Sequence, residues 1–193
     1  MKTKIALLLI DIQNDYFEGG LNPLVGSYEA VLKAQVILQH FRLQSLPVIH
    51  IKHISTKQGA TFFLPNTKGA KIHKNVAPMK EENVITKHTP NSFYQTELNS
   101  LLQSQNITDL IICGMMTQMC VDATVRAAKD LGYNCIIIAD ACATKDLVFQ
   151  DLKIKAKEVQ AAFLSSLNHY YSTIITTKEY INHLTNKEKD END

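Results

Sequence analysis

Six short apolar runs, rich in β-branched residues and almost free of apolar/polar alternation, recur along the chain: IALLLI (5–10), PVIHI (47–51), NVITK (83–87), DLIICG (109–114), NCIIIAD (134–140) and STIIT (172–176). Strands without alternation are strands covered on both faces. Between them the periodicity is helical. Val31, Ala34, Leu38 and Phe41 share one face over 27–44 behind Ser27 as the expected N-cap, 96–105 is a shorter helix, CVDATVRAAKDLG closes on Gly132 as a C′ residue, and Val159, Phe163, Leu167 and Tyr170 stripe the last long helix. Strands and helices in alternation, joined by right-handed crossovers, predict an α/β fold. Its expected form is a three-layer α/β/α sandwich, a doubly wound Rossmann-like parallel sheet of about six strands, since 193 residues suit this better than an eightfold barrel.

A chain of 193 residues with 45% hydrophobic content supports one core, so a single domain is expected over 1–185. The tail NKEKDEND (186–193) has no apolar residue to bury and is expected to be disordered. Lys and Arg number 20 against 19 for Asp and Glu, and a net charge of +1 supplies no field to gather nucleic acid or a charged membrane. The expected partners are a small-molecule substrate and further copies of the chain. The apolar part of MKTKIALLLI ends at Asp11 with no small-residue cleavage site, so it reads as a strand rather than a signal peptide. A cytoplasmic location with reduced cysteines is the expectation. Cys113, Cys120, Cys135 and Cys142 contain no C-x-x-C pair; all but Cys120 fall in or at the end of strand runs, where a thiol acts as a small hydrophobe.

Ligands of a doubly wound sheet bind beyond the carboxyl ends of its strands. The residues standing there are a carboxylate, an ammonium and a thiol: Asp11 in LLLIDIQNDYF, Lys87 in VITKHTPNSF, and Cys120, six residues after Gly114. With Thr117 as N-cap, Cys120 occupies the first turn of a helix, where unpaired N–H groups and the helix dipole favour thiolate. A neighbouring Lys87 lowers the thiol pKa further from its free value of about 8.5. Asp11 is placed to take the thiol proton and return it to a leaving group. Backbone N–H groups of Cys120 and of the turn before it suit an oxyanion.

The stretch ICGMMTQMCVDATVRAAKDLGYNCIIIADACAT, together with the Asp11 and Lys87 segments, resembles the isochorismatase-like cysteine hydrolases. It matches their G-x-x-T-x-x-C-V-x-x-T-x-R-x-A-x-x-x-G-Y pattern at every named position. The resemblance implies Asp11 as general base, Lys87 as the charge-tuning lysine, Cys120 as nucleophile, and a cis peptide joining Met115 to Met116 that turns the Met116 N–H toward the oxyanion position beside that of Cys120. It also implies a homodimer or higher homo-oligomer. Nicotinamidases of this family bind a metal through Asp-x-His after the second strand, yet this chain has no Asp between Asp15 and Asp109. His50 and His53, three apart on a strand, point to opposite faces, so neither a metal nor another cofactor is expected. Retention of Cys120 favours attack on a carbonyl carbon, hence a C–N bond of the amide type, over the vinyl ether of isochorismatase itself. The alternatives are a metal-dependent nicotinamidase, a vinyl ether hydrolase, and a non-catalytic ligand-binding or redox-sensing protein. Candidate pocket residues are Gln13, Phe17, His53, Phe62, Phe63, Phe93 and Thr117, with Gln13 and Asn14 available to orient Asp11. Phe62 and Phe63 lie in the long connection 55–79.

Overall fold

The computed structural model describes residues 4–190. In chain order it contains β1 (Ile5–Ile10), α1 (Ser27–Leu43), β2 (Val48–His53), β3 (Asn83–Lys87), α2 (Leu98–Ser104), β4 (Asp109–Met115), α3 (Asp122–Asp130), β5 (Asn134–Ala143), β6 (Leu147–Phe149), β7 (Leu152–Ile154), α4 (Ala156–Tyr170), β8 (Thr173–Ile175) and α5 (Thr177–Asp190). Six strands form one parallel sheet in the order β3-β2-β1-β4-β5-β8. The winding reverses between β1 and β4, which makes the crevice at their carboxyl ends the natural ligand position.

The missing alternation in the central strands now has its cause, whereas edge strand β3 buries Ile85 and Lys87 and leaves Asn83, Val84 and Thr86 exposed. β1 sends Leu7 and Leu9 into a core shared with α1 and α5, and Ala6, Leu8 and Ile10 into a second core shared with α2, α3 and α4. Each buried leucine or isoleucine contributes about 1.5–3 kcal/mol, so a strand that serves two cores is held from both sides. Val31, Ala34, Leu38 and Phe41 of α1 are all buried in the first core, as their spacing predicts. Among the described residues, no helix is long and apolar enough to cross a membrane.

Some local expectations are corrected. The N-cap of α1 is Gly26, in a left-handed conformation at φ 71°, while the Ser27 hydroxyl donates back to Leu24 O at 3.4 Å. On α4, Val159 and Leu167 are buried and Phe163 partly so, but Tyr170 at the helix end is exposed and meets Tyr171 edge-on. The antiparallel β6–β7 hairpin was not foreseen, because strands of three residues are too short to show a period. The last helix, α5, spans Thr177–Asp190, and residues 191–193 of the polar tail lie outside the described residues. Tyr180 anchors α5 in the first core.

Candidate active site

Three chain segments far apart in sequence meet above β1 and β4. Asp11 ends β1 with a left-handed backbone at φ 51°, which an aspartate tolerates, and its N–H donates to Ile51 O at 3.1 Å. Lys87 ends β3 and reaches back across β2. Its Nζ donates to Thr89 O at 3.1 Å and Pro90 O at 2.9 Å, and pairs with Asp11 Oδ2 at 2.7 Å. All three ammonium protons are thereby directed. Cys120 arrives from the turn after β4. Asp11, Lys87 and Cys120 are 0%, 1% and 5% exposed.

Gly114 allows this convergence. A Cβ there would stand 2.3 Å from Ile10 O, so only glycine lets the end of β4 close against the end of β1. The Met115–Met116 peptide is cis, as the resemblance implied. Thr117, however, is not an N-cap. Residues Thr117–Val121 form a π turn in which Val121 N donates to Met116 O at 3.2 Å, and α3 begins only at Asp122. Turns of this kind are frequent at functional sites. The Thr117 hydroxyl is buried and lies 2.6 Å from Gln160 Oε1 and 3.3 Å from Ala143 O; Gln160 Nε2 donates in turn to Ala139 O and Cys142 O. Thr117 thus fastens the turn to α4 and the end of β5.

The electrostatics correct one expectation. Burial pushes the Cys120 thiol well up from the ordinary cysteine value, the charge of Asp11 pushes the same way, and Lys87 opposes both without prevailing. A terminal-turn position does not lower the thiol pKa here, because the sulfur is desolvated and the lysine charge is already paired with Asp11. Burial also works against the Lys87 ammonium, but Asp11 and Cys120 outweigh it and raise its pKa. The surroundings therefore favour the thiol form of Cys120 beside the Asp11–Lys87 ion pair.

The remaining candidates separate into groups. His53 borders the centre: burial lowers its pKa, Asp11 raises it and Lys87 lowers it. His50 points the other way, with Nε2 at 2.9 Å from Glu82 Oε2, so the two histidines do occupy opposite faces. Phe63 is buried against Tyr16 (ring centroids 4.6 Å) and near His53 (5.9 Å), and half-buried Phe62 packs on Phe63 at 5.0 Å. Gln13 acts as a clamp: Nε2 donates to His53 O and Ala70 O, and Oε1 accepts from His53 N at 2.7 Å, which spends its polar atoms on backbone. Asn14 Nδ2 likewise donates to Lys68 O and does not orient Asp11. Phe17 stacks on His73 at 4.0 Å. Phe93 stacks at 5.9 Å on Tyr133, which precedes β5, so it lies toward the amino end of the sheet and is no part of the site. Tyr16 belongs nearer the centre than its neighbour Phe17: burial raises its phenol pKa, and Cys120 and Asp11 add to the effect. No sequence signal distinguished the two, since a 3-10 turn at Asn14–Tyr16 decides which ring faces inward. Asp11, His53 and Cys120 each offer a ligand atom to a metal ion, these atoms lying within 4.8 Å of one another.

Residues 5–179 match the isochorismatase domain. The chain belongs to the isochorismatase family. Among its relatives, the uncharacterised isochorismatase family protein YddQ of Bacillus subtilis is 47% identical over 91% of this chain and 98% of the relative. A provisionally assigned isochorismatase hydrolase from Oleispira antarctica has a crystal structure that superposes with a TM-score of 0.89 at 47% identity, covering 94% of this chain and 97% of that one. A streptothricin hydrolase of Streptomyces noursei is 30% identical over 74% of this chain, which spans 50% of that longer protein. Fold and family agree, and this isochorismatase-family hydrolase carries its candidate centre at the switch point of the sheet.

Proposed function

We propose that this isochorismatase-family protein is a cysteine hydrolase that cleaves an amide-type C–N bond of a small molecule through a covalent acyl intermediate on Cys120. The observation that carries this reading is the buried Asp11–Lys87 ion pair, 2.7 Å long, beside a buried thiol. Charge is conserved as the thiol is activated. Asp11 takes the Sγ proton, and the thiolate inherits Lys87 as its partner, so no new net charge is created in a dry site. The sulfur adds to the carbonyl carbon, and the N–H groups of Met116 and Cys120 receive the oxyanion. Asp11 returns the proton to the departing nitrogen as the C–N bond breaks. It then takes a proton from water, which attacks the thioester, and the acid leaves as Sγ regains its hydrogen. The relative named as a streptothricin hydrolase supports hydrolysis of a small nitrogenous compound.

The test is a panel of small amides incubated with the protein, with intact-mass detection of an acyl adduct and peptide mapping to Cys120. Cys120→Ala and Asp11→Asn should each abolish turnover, and Cys120→Ala the adduct as well. Full activity in Cys120→Ala would falsify the mechanism.

A further inference from the structure

The thiol, the carboxylate and His53 have a second chemical capacity beyond acyl transfer. We propose that Asp11, His53 and Cys120 bind one thiophilic divalent cation of the zinc type, and that its occupation removes Cys120 from nucleophilic chemistry. The donors are one sulfur, one imidazole nitrogen and one carboxylate oxygen, within 4.8 Å of one another. Zinc takes such mixed sets tetrahedrally, with bonds of about 2.0–2.3 Å, and three protein ligands leave a fourth position for water. Closing the present spacing onto such an ion needs side-chain shifts of about 1 Å, by the same bond lengths. Two further observations point to a ligand. His53 Nδ1 is buried without a hydrogen-bond partner, and the Asp11 carboxylate is wholly buried with only Lys87 and the Cys120 thiol to satisfy it. Orphaned buried polar atoms cost about 1–3 kcal/mol each unless something fills their need.

Lys87 sets the selectivity. Its ammonium stays on the Thr89 and Pro90 carbonyls and faces Asp11 Oδ2, so an incoming cation meets a like charge. Only an ion that forms a bond to sulfur offsets that repulsion. On binding, the Sγ–H bond breaks, the metal–sulfur bond forms and the proton passes to solvent; the charge of the centre rises by one. A hard cation such as Mg2+ gains nothing from the thiol and is rejected.

Reduced full-length protein is titrated with Zn2+ by equilibrium dialysis and with Co2+ by its thiolate-to-metal charge-transfer absorption. One equivalent should bind, with affinity falling by about tenfold or more in His53→Gln. The charge-transfer band should vanish in Cys120→Ser, and His169→Gln, at an exposed position of α4, should behave as wild type. One equivalent of Zn2+ should protect Cys120 from alkylation, followed by peptide mass; a matching thermal melt keeps a misfolded variant from being counted. Zn2+ binding unchanged in His53→Gln, a band that persists in Cys120→Ser, or equal uptake of Mg2+ would each overturn the site. None of these readouts needs turnover, so their failure leaves the hydrolase reading untouched, and an inactive hydrolase leaves the metal site untouched.

Discussion

A buried charge pair makes each of its members dependent on the other. Removing one partner strands the other in a dry site, so Lys87→Met should cost about 3–5 kcal/mol in denaturant unfolding. Asp11→Asn combined with Lys87→Met should cost clearly less than the two single changes summed, because the pair leaves together; strict additivity would mean that the 2.7 Å contact is energetically idle. The thiol supplies a second prediction. Burial and then Asp11 hold the Cys120 pKa up, so its alkylation rate should keep climbing above the range of free cysteine, about 8.5. Asp11→Asn removes one of the raising charges and should move that profile to lower pH, each unit giving about tenfold more thiolate at neutral pH. An unmoved profile contradicts the assignment. Both predictions rest on residue types that were visible in the sequence. Their burial was not, and burial reverses the sign expected for the thiol.

At the scale of elements, the turn between β4 and α3 decides where the sulfur sits. Gly114→Ala would drive a Cβ to 2.3 Å from Ile10 O, a backbone atom that cannot yield without parting β1 from β4. A loss of about 3 kcal/mol or more is expected, comparable to overpacking in a tight core, together with loss of the alkylation behaviour of Cys120. Thr117→Val keeps the shape but deletes the hydroxyl between Gln160 and Ala143. It should cost about 1–3 kcal/mol by leaving Gln160 Oε1 unpartnered, read by thermal melting, and Gln160→Leu in the same background should recover part of it. Elements were the most legible level. All six sheet strands and the stripe of α1 follow from period and length, whereas the π turn, the hairpin β6–β7 and the cap at Gly26 depend on local hydrogen bonds that no period encodes.

Across the whole molecule, Glu82 ties three distant parts of the chain together. Its carboxylate accepts from Arg42 on α1 at 2.7 and 2.8 Å, from Met79 N in the connection before β3, and lies 2.9 Å from His50 on β2. Burial works to raise the Glu82 pKa, but the Arg42, Met79 and His50 hydrogen bonds overcome it and hold the group at about 2, down from 4.5. A carboxyl depressed on folding binds protons more readily in the unfolded chain, so its stabilisation is full above pH 4.5 and lost as the pH falls toward 2. His50, its pKa lowered from 6.5 chiefly by burial against the pull of Glu82, acts with the same sign and begins to erode stability below that pH. Unfolding free energy should therefore decline in two stages on acidification, and Glu82→Gln should remove the lower stage while costing about 2–4 kcal/mol at neutral pH. Chemical denaturation at a series of pH values measures both.

The alternation of apolar runs with amphipathic segments was enough to determine the layered α/β fold, because the central runs must bury two faces and each amphipathic segment one, although the edge strands β3 and β8 stay partly exposed. The motif around Cys120 was enough to mark the family. What needed the folded chain was distance and solvent exposure. Lys87 comes back across β2 to meet Asp11, Tyr16 rather than Phe17 feels the charges of Cys120 and Asp11, Phe93 turns away, and Glu82 locks the far end of the sheet. Periodicity reports which face a residue occupies, since that follows from backbone geometry alone. The partner a side chain finds, and whether water reaches it, depends on segments a hundred residues away, and so does the charge state of every group in the centre.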